Sequence, residues 1–469
     1  METISSPRQK ALRINLDPKF FGTIAEIGAG QEVARRFFTA GGSSGTIAKT
    51  ISAYDMVLSN SLYGETNSKR YVSEERLKKM LKIEYKQLVN SLQNIKRGNT
   101  CFFAFANTIS AINFQKTNES HGWIGIKFQL NGGYEANDIL LHVKLYEKDN
   151  LLQQRTIGIL GVNLIYAAFY FNNYPNSFLR SLMDFLSRDQ LEIDMIRMSG
   201  PDLDFIDNRL ISLQLVKNKM THATVFDKDH NVRPPSDIFY KKNIMVLRGS
   251  FRPITLVGLD MLKKGFELFK LENNCEEDNT LLFCEISLEN LLTEDDFDEK
   301  DFLNRVDLLN GLGINVIISD MKQHHEFVSY FDIYKIYKIG IIIGSTTYNN
   351  LFKNEYYTNL SGGLLQGFGR LFKNNVKMFV YPTLIEEKDE LLSSENLVLN
   401  DEAKSIHQYL VKTGKIINIH NFDKNILYIF PRKVIELIKQ ENKKWEEMVP
   451  DFVAKTIKEK YMFDYKKTN

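Results

Sequence analysis

The chain has 469 residues, 43% of them hydrophobic and 25% charged, an ordinary globular composition with room for about two to four domains. Lys and Arg total 60 against 58 Asp and Glu, which excludes the basic footprint of a protein that coats nucleic acid. Three cysteines (Cys101, Cys275, Cys284) without a C-x-x-C pair exclude a disulfide framework, and the first ten residues carry no hydrophobic leader, so a cytoplasmic protein is expected.

In chain order, the first elements are a strand at Thr23–Ile27, a Gly28-Ala29-Gly30 turn and an amphipathic helix through Val33–Phe38. That turn lacks the third glycine of a dinucleotide fingerprint. A glycine-rich stretch follows from Ala40 to Thr50; Gly45 and Lys49 are separated by three residues instead of adjacent, so it is no Walker A loop, and an irregular loop is the expectation. Leu77, Leu81, Tyr85, Leu88 and Leu92 mark one face of a helix over Ser73–Gln93. Strand patterns run over Cys101–Ala106, Trp123–Leu130 and Ile139–Tyr146. The most apolar segment, Ile157 to Phe171, is interrupted by Gly158, Gly161 and Asn163 and is too short to span a bilayer. Helices around Gly161–Phe171 and Ser177–Phe185, a strand at Glu192–Met198, a helix at Asn208–Val216 and a strand at Ala223–Phe226 complete this half.

The polar run Asp227–Pro235 ends in a Pro-Pro pair and is read as the boundary between lobes. Beyond it, apolar runs at Ile244–Leu247, Leu281–Ile286, Ile314–Ser319, Ile339–Ile343, Lys377–Tyr381 and Ile416–His420 alternate with helical segments. That pattern predicts a parallel sheet buried on both faces. The acidic run Glu294–Asp301 reads as a solvated loop and helix start.

The segment Arg248-Gly249-Ser250-Phe251-Arg252-Pro253-Ile254-Thr255 joins a strand to a helix, with Pro253 expected in the first helical turn. Amides at such a turn point out from the carboxyl end of a parallel strand, where phosphates bind in open α/β sheets. The run resembles the opening motif of the nicotinate/nicotinamide mononucleotide adenylyltransferases, Gly-(Ser/Thr)-Phe-x-Pro-(Ile/Val) followed by (His/Thr)-x-Gly-His. Gly249, Ser250, Phe251, Pro253, Ile254 and Thr255 match it, whereas Val257 stands at the motif's Gly and Gly258 at its second His. Gly344-Ser345-Thr346-Thr347 is a loose counterpart of the family's second signature, without its Arg. The whole chain also looks like a bacterial family that often carries the name nicotinate-nucleotide adenylyltransferase.

The resemblance implies a nucleotidyltransferase-like site that takes ATP with Mg²⁺ and a phosphate-bearing small molecule. Gly249, Ser250, Phe251, Arg248, Ser345 and Thr346 would bind the cofactor, and Thr255 and Arg252 would serve catalysis. Read from the residues alone, Glu26, Lys49 and Asp207 are secondary candidates for a site between the lobes. Asp202, Asp204 and Asp207 also fit a helix N-cap with first-turn acids. His324-His325 is read as two surface histidines and His121 as a hydrogen-bonded structural one; no metal-ligand set is found. The expectation is an α/β protein: a mixed α+β lobe at 1–235, a Rossmann-like, mainly parallel lobe at 236–430 and a helical tail at 431–469. A non-catalytic interaction or scaffold protein is the competing class. Nucleic acid and membrane are not expected as partners, and a homo-oligomer is compatible with the sequence.

Overall fold

The structure is a computed structural model that describes residues 5–28, 30–67, 70–92, 99–293, 296–373, 375–385 and 390–466. Ala29 and the acids Glu294 and Asp295 lie outside the described residues. The chain forms two compact units, Met1–Thr221 and His222–Asn469.

The N-terminal unit is built on a six-stranded sheet ordered β2-β1-β3-β4-β5-β6. Its strands are β1 (Phe20–Ile27), β2 (Ile47–Ser52), β3 (Cys101–Ser110), β4 (His121–Phe128), β5 (Asn137–Leu145) and β6 (Leu191–Ser199). β1 runs parallel to β2 and β3, and β3 to β6 pair antiparallel. Side chains alternate across a strand, so Phe20, Ile24, Cys101, Phe103 and Phe105 enter the main core while Phe21 and Phe102 meet Leu88 on the other side. The helix Asn150–Tyr170, capped by Asp149, is buried along most of its length. A Cβ on Gly161 would stand 2.3 Å from Val33, so this glycine sets how closely the helix Glu32–Ala40 approaches. No described helix is long and apolar enough to cross a membrane.

The glycine-rich stretch departs from the loop expectation: after a 3-10 turn at Ser43–Gly45 it becomes the edge strand β2. Parallel pairing with β1, far off in sequence, outweighs the local turn signals.

The C-terminal unit carries an eight-stranded sheet ordered β18-β15-β14-β9-β10-β13-β7-β8. Its strands are β7 (Ala223–Phe226), β8 (Val232–Arg233), β9 (Asn243–Arg248), β10 (Thr280–Ser287), β13 (Asn315–Ser319), β14 (Lys338–Gly344), β15 (Val376–Tyr381) and β18 (Ile416–Asn418); short ribbons β11–β12 (Leu292–Thr293, Asp296–Phe297) and β16–β17 (Thr383–Ile385, Glu390–Leu392) intervene. The six strands from β18 to β13 are parallel. Numbered by their order in the chain, they run 3-2-1-4-5-6 from β13 to β18. This is the Rossmann-like doubly wound order. The strand Ala223–Phe226 and the polar run after it belong to this sheet, as antiparallel additions at its edge.

Candidate functional site

In a doubly wound sheet the chain leaves β9 toward one neighbour and later returns to the other, so the loops at its carboxyl end diverge and leave a crevice. Here that crevice lies between β9 and β14 and is a cleft of about 560 Å³, within the range of small-molecule sites.

The loop after β9 forms its floor. The Gly249 amide donates to Glu285 O at 3.0 Å, extending the pairing with β10 by one residue. Phe251 then takes a left-handed backbone, φ +46°, and its ring is buried. A Cβ on Gly249 would stand 3.2 Å from that ring, a tight contact that glycine avoids. Thr255, 2% exposed, caps the helix Leu256–Asn273 by accepting from Gly258 N at 3.3 Å. Pro253 therefore precedes the cap and is not in the first helical turn. Thr255→Val is expected to cost about 1 kcal/mol in chemical denaturation through loss of the cap.

Arg248, Gly249, Ser250, Phe251 and Thr255 all line the cleft. Arg248 is held from behind: Nε donates to Glu285 Oε2 at 2.7 Å, Nη2 to Met321 O at 2.6 Å, and the guanidinium lies 4.9 Å from the Phe327 ring. Glu285 is fully buried and also accepts from Ser319 Oγ at 2.5 Å. Arg248 Nη1 is buried and has no hydrogen-bond partner among the described residues.

Arg252 goes elsewhere. Its Nε donates to Asp301 Oδ1 at 2.7 Å and it does not line the cleft. The β14 loop is also shifted by a residue from the expectation, because Gly344 and Thr347 line the cleft while Ser345 and Thr346 do not. Ser345 is buried and donates to Leu392 O at 2.7 Å, and Thr346 is exposed.

Several lining groups come from distant segments: Asn290, Lys322, His324, Tyr381 and Phe430. Lys322 is paired with Glu289 at 2.8 Å. Neither histidine is fully exposed, and of the two only His325 is buried. They open the helix His324–Tyr330, whose packing buries His325 and leaves His324 on the cleft wall. Burial, with Arg248 and His325 adding to it, holds the His324 imidazole well below its usual pKa, so it is neutral at pH 7. Tyr381 donates to Asp260 Oδ2 at 2.6 Å.

No family model matches the chain. No curated protein matches it in sequence either. Among solved structures it is similar to the competence/damage inducible protein CihA from Agrobacterium tumefaciens, at 18% identity and a TM-score of 0.26 over 36% of this chain and 98% of that one. It is also similar to a competence-damaged protein (CinA) superfamily protein from Enterobacter cloacae, at 11% identity and a TM-score of 0.27 over 36% of this chain and 95% of that one. A third is the nicotinic acid mononucleotide adenylyltransferase of Plasmodium falciparum, at 15% identity and a TM-score of 0.30 over 48% of this chain and 98% of that one. Likenesses this distant carry no argument about activity, so the chemistry rests on the cleft itself.

The secondary candidates all belong to the N-terminal unit, and each is engaged by other groups of that unit. Glu26, 1% exposed, accepts from Val33 N at 3.4 Å, Ala34 N at 3.1 Å and Asn107 Nδ2 at 3.0 Å. It thus fills the start of the helix Glu32–Ala40, where an anion would otherwise bind. Burial outweighs these bonds and pushes its pKa up to about 7. Lys49 pairs with the buried Glu84 at 2.5 Å. Asp207 caps the helix Asn208–Lys217, and its carboxyl is held below the usual range by Arg209, at 2.8 Å, against the opposing effect of burial. No hydrogen bond or ion pair among the described residues joins one of the three to another. The same unit buries His142 and Asp194 at 2.6 Å, with Lys144 at 3.3 Å from Asp194 and His121 at 3.2 Å from His142. No group of three or more His, Cys, Asp or Glu among the described residues could hold a metal ion.

Proposed function

We propose that the C-terminal unit binds a nucleotide in the cleft between β9 and β14, with ATP and its Mg²⁺ the first candidate and nicotinate or nicotinamide mononucleotide the second. One observation carries this reading: a ligand-sized cleft stands at the switch point of a 3-2-1-4-5-6 sheet with the Gly249–Ser250 loop as its floor. Ser250 and Thr347 offer hydroxyls to phosphates, and Arg248 keeps one buried donor, Nη1, unspent. Phe251, Leu427 and Phe430 supply an apolar wall for a base. Mg²⁺ would enter on the ligand's own phosphates, since Glu289 is the only carboxylate lining the described cleft.

Adenylyl transfer is the finer reading. A mononucleotide phosphate oxygen would attack the α-phosphorus of ATP, the bond to the β-phosphate would break, and pyrophosphate would leave. The protein would contribute positioning and charge. Glycine at 258 and an Arg252 turned toward Asp301 both remove donors from that task, each loss worth on the order of 3 kcal/mol of transition-state stabilisation. These two features favour binding without rapid transfer.

The test is thermal denaturation with ATP, nicotinate mononucleotide and nicotinamide mononucleotide, each with Mg²⁺, alongside an assay for released pyrophosphate. A ligand at 100 times its Kd is expected to add about 2.7 kcal/mol of stability, and a flat response to all three sinks the nucleotide reading. Gly258→Leu is the companion variant. A Cβ at 258 makes only ordinary contacts, 3.4 Å to Ile254 Cγ1 and 3.8 Å to Thr255 Oγ1. The leucine should thus leave stability unchanged, or raise it by about 0.5–1 kcal/mol through helix propensity, while blocking the cleft. A ligand response that survives this change removes the cleft from the binding site.

A further inference from the structure

We propose a second anion site, beside the cleft, that takes one phosphate group between the Ser250 loop and the start of the helix Pro431–Lys439. The hollow there has a volume of about 320 Å³ and is lined by Arg252, Arg305 and Arg432. Ser250, Asn290 and Pro431 line both this groove and the cleft.

Arg305 is the buried member, its side chain 1% exposed. Nη1 donates to Ser250 O at 3.0 Å and Asn290 O at 2.6 Å, and Nη2 pairs with Asp301. Its Nε is buried and has no hydrogen-bond partner among the described residues. An unmet buried donor is costly, and a charged one more so. Asp301 is shared between Arg305 and Arg252, so one carboxylate faces two guanidiniums. With Arg432 added, and Glu436 the acid on the groove wall, three positive charges stand against two negative.

Arg432 supplies the independent observation. It is exposed and makes no hydrogen bond or ion pair with a described residue. It sits in the first turn of a nine-residue helix whose N-cap, Phe430, makes no side-chain cap and whose first turn has no acid. Helix starts favour acids and repel cations. A start carrying Arg432 over open amides is instead relieved by a bound anion. Arginine forks suit phosphate oxygens in pairs.

Because Arg305 holds the carbonyls of both Ser250 and Asn290, filling the groove would stiffen the loop that floors the cleft. The phosphate has two possible sources: a free phosphate ion, or a phosphate of the molecule bound in the cleft.

The experiment uses the full chain and titrates sodium phosphate against sodium chloride at matched ionic strength, with ATP in a separate arm. The variants are Arg432→Glu, Lys433→Glu as a control of equal charge change outside the groove, and Gly258→Leu to block the cleft. A free-phosphate site predicts that phosphate alone binds the wild type, that Arg432→Glu weakens it at least tenfold, and that Lys433→Glu and Gly258→Leu leave it within about twofold. Phosphate without effect, together with an ATP affinity that falls tenfold in Arg432→Glu but not in Lys433→Glu, assigns the site to a phosphate of the cleft-bound molecule. The proposal is overturned if neither ligand depends on Arg432, if Lys433→Glu costs as much, or if Gly258→Leu abolishes the phosphate response. A phosphate response that persists while all nucleotides are silent overturns the nucleotide reading and leaves the groove standing.

Discussion

Arg248→Met is expected to lower the unfolding free energy by about 3–5 kcal/mol, measured by urea denaturation at pH 7. The size follows from what would be left behind. Glu285 is fully buried and takes its two charge-assisted bonds from Arg248 Nε and Nη2, at 2.7 and 3.4 Å, with only the Ser319 hydroxyl besides among the described side chains. Removing the guanidinium strands a carboxylate in the sheet, and Met321 O loses its donor as well. Glu285→Leu alone should cost a similar amount, because Arg248, with its side chain only 9% exposed, would then be the stranded charge. The double variant Arg248→Met with Glu285→Leu should recover most of the loss, since apolar replacements remove both desolvation costs together. A single-variant cost below about 1 kcal/mol would mean that water reaches the pair, and would end the view of Arg248 as a fixed post behind the cleft.

The N-terminal unit is expected to keep nearly level stability from pH 7 to pH 4.5, because two large effects of opposite sign cancel. Glu26 is raised from 4.5 to about 7, chiefly by burial. Between those values the folded state holds the extra proton, so this group alone makes stability fall as pH rises through the window. His121 is lowered from 6.5 to about 4 by burial, with His142 adding to it. Between those values the unfolded state holds the extra proton, so this group alone makes stability rise with pH. Each is worth about 3 kcal/mol over its range, and the windows overlap for most of their width. Asp194, held low by His142 and Lys144 against its burial, acts only below about 3.8.

Single substitutions should break the balance. In His121→Gln, stability should fall by about 3 kcal/mol as pH rises from 4.5 to 7; in Glu26→Gln it should rise by about 3 kcal/mol from pH 4 to 6.5. The chain has two tryptophans, and Trp123 lies in this unit while Trp445 does not. Fluorescence-monitored urea melts in a Trp445→Phe background therefore report this unit alone. A level profile in His121→Gln would show that Glu26 ionises in the ordinary range and that burial does not outweigh its hydrogen bonds.

Much of the fold was legible from local pattern. The strand read at Ala223–Phe226 is the observed one, and the apolar runs from Ile244 onward fall on strands of the second sheet. Period and burial are properties of a few neighbouring residues, so they survive in a linear text. The turn at Gly249 was legible for the same reason, whereas the helix starts beyond the expected Pro253, after the Thr255 cap. Glu285 offered a further signal that went unused, because a lone acid inside the run Leu281-Leu282-Phe283-Cys284-Glu285-Ile286 demands a buried partner.

Aim and partnership were not legible. Arg252 lies four residues beyond Arg248, yet one guanidinium lines the cleft and the other turns to Asp301, a choice made by a helix about fifty residues later. Ser345 reads as a phosphate ligand until the ribbon β16–β17 supplies Leu392 O to its hydroxyl. His324, Tyr381 and Phe430 reach the cleft only because their segments end at the same edge of the sheet.

By itself, then, the sequence determined the α/β class, most of the strands and the glycine turn that a phosphate would approach. Tertiary structure alone decided the 3-2-1-4-5-6 order, which puts that turn at a switch point, and decided which cations stay available there. The physical reason is range: hydrophobic period and turn chemistry act over a few residues, whereas strand order and ion pairing are settled by groups tens to hundreds of residues apart that meet only when the sheet is complete.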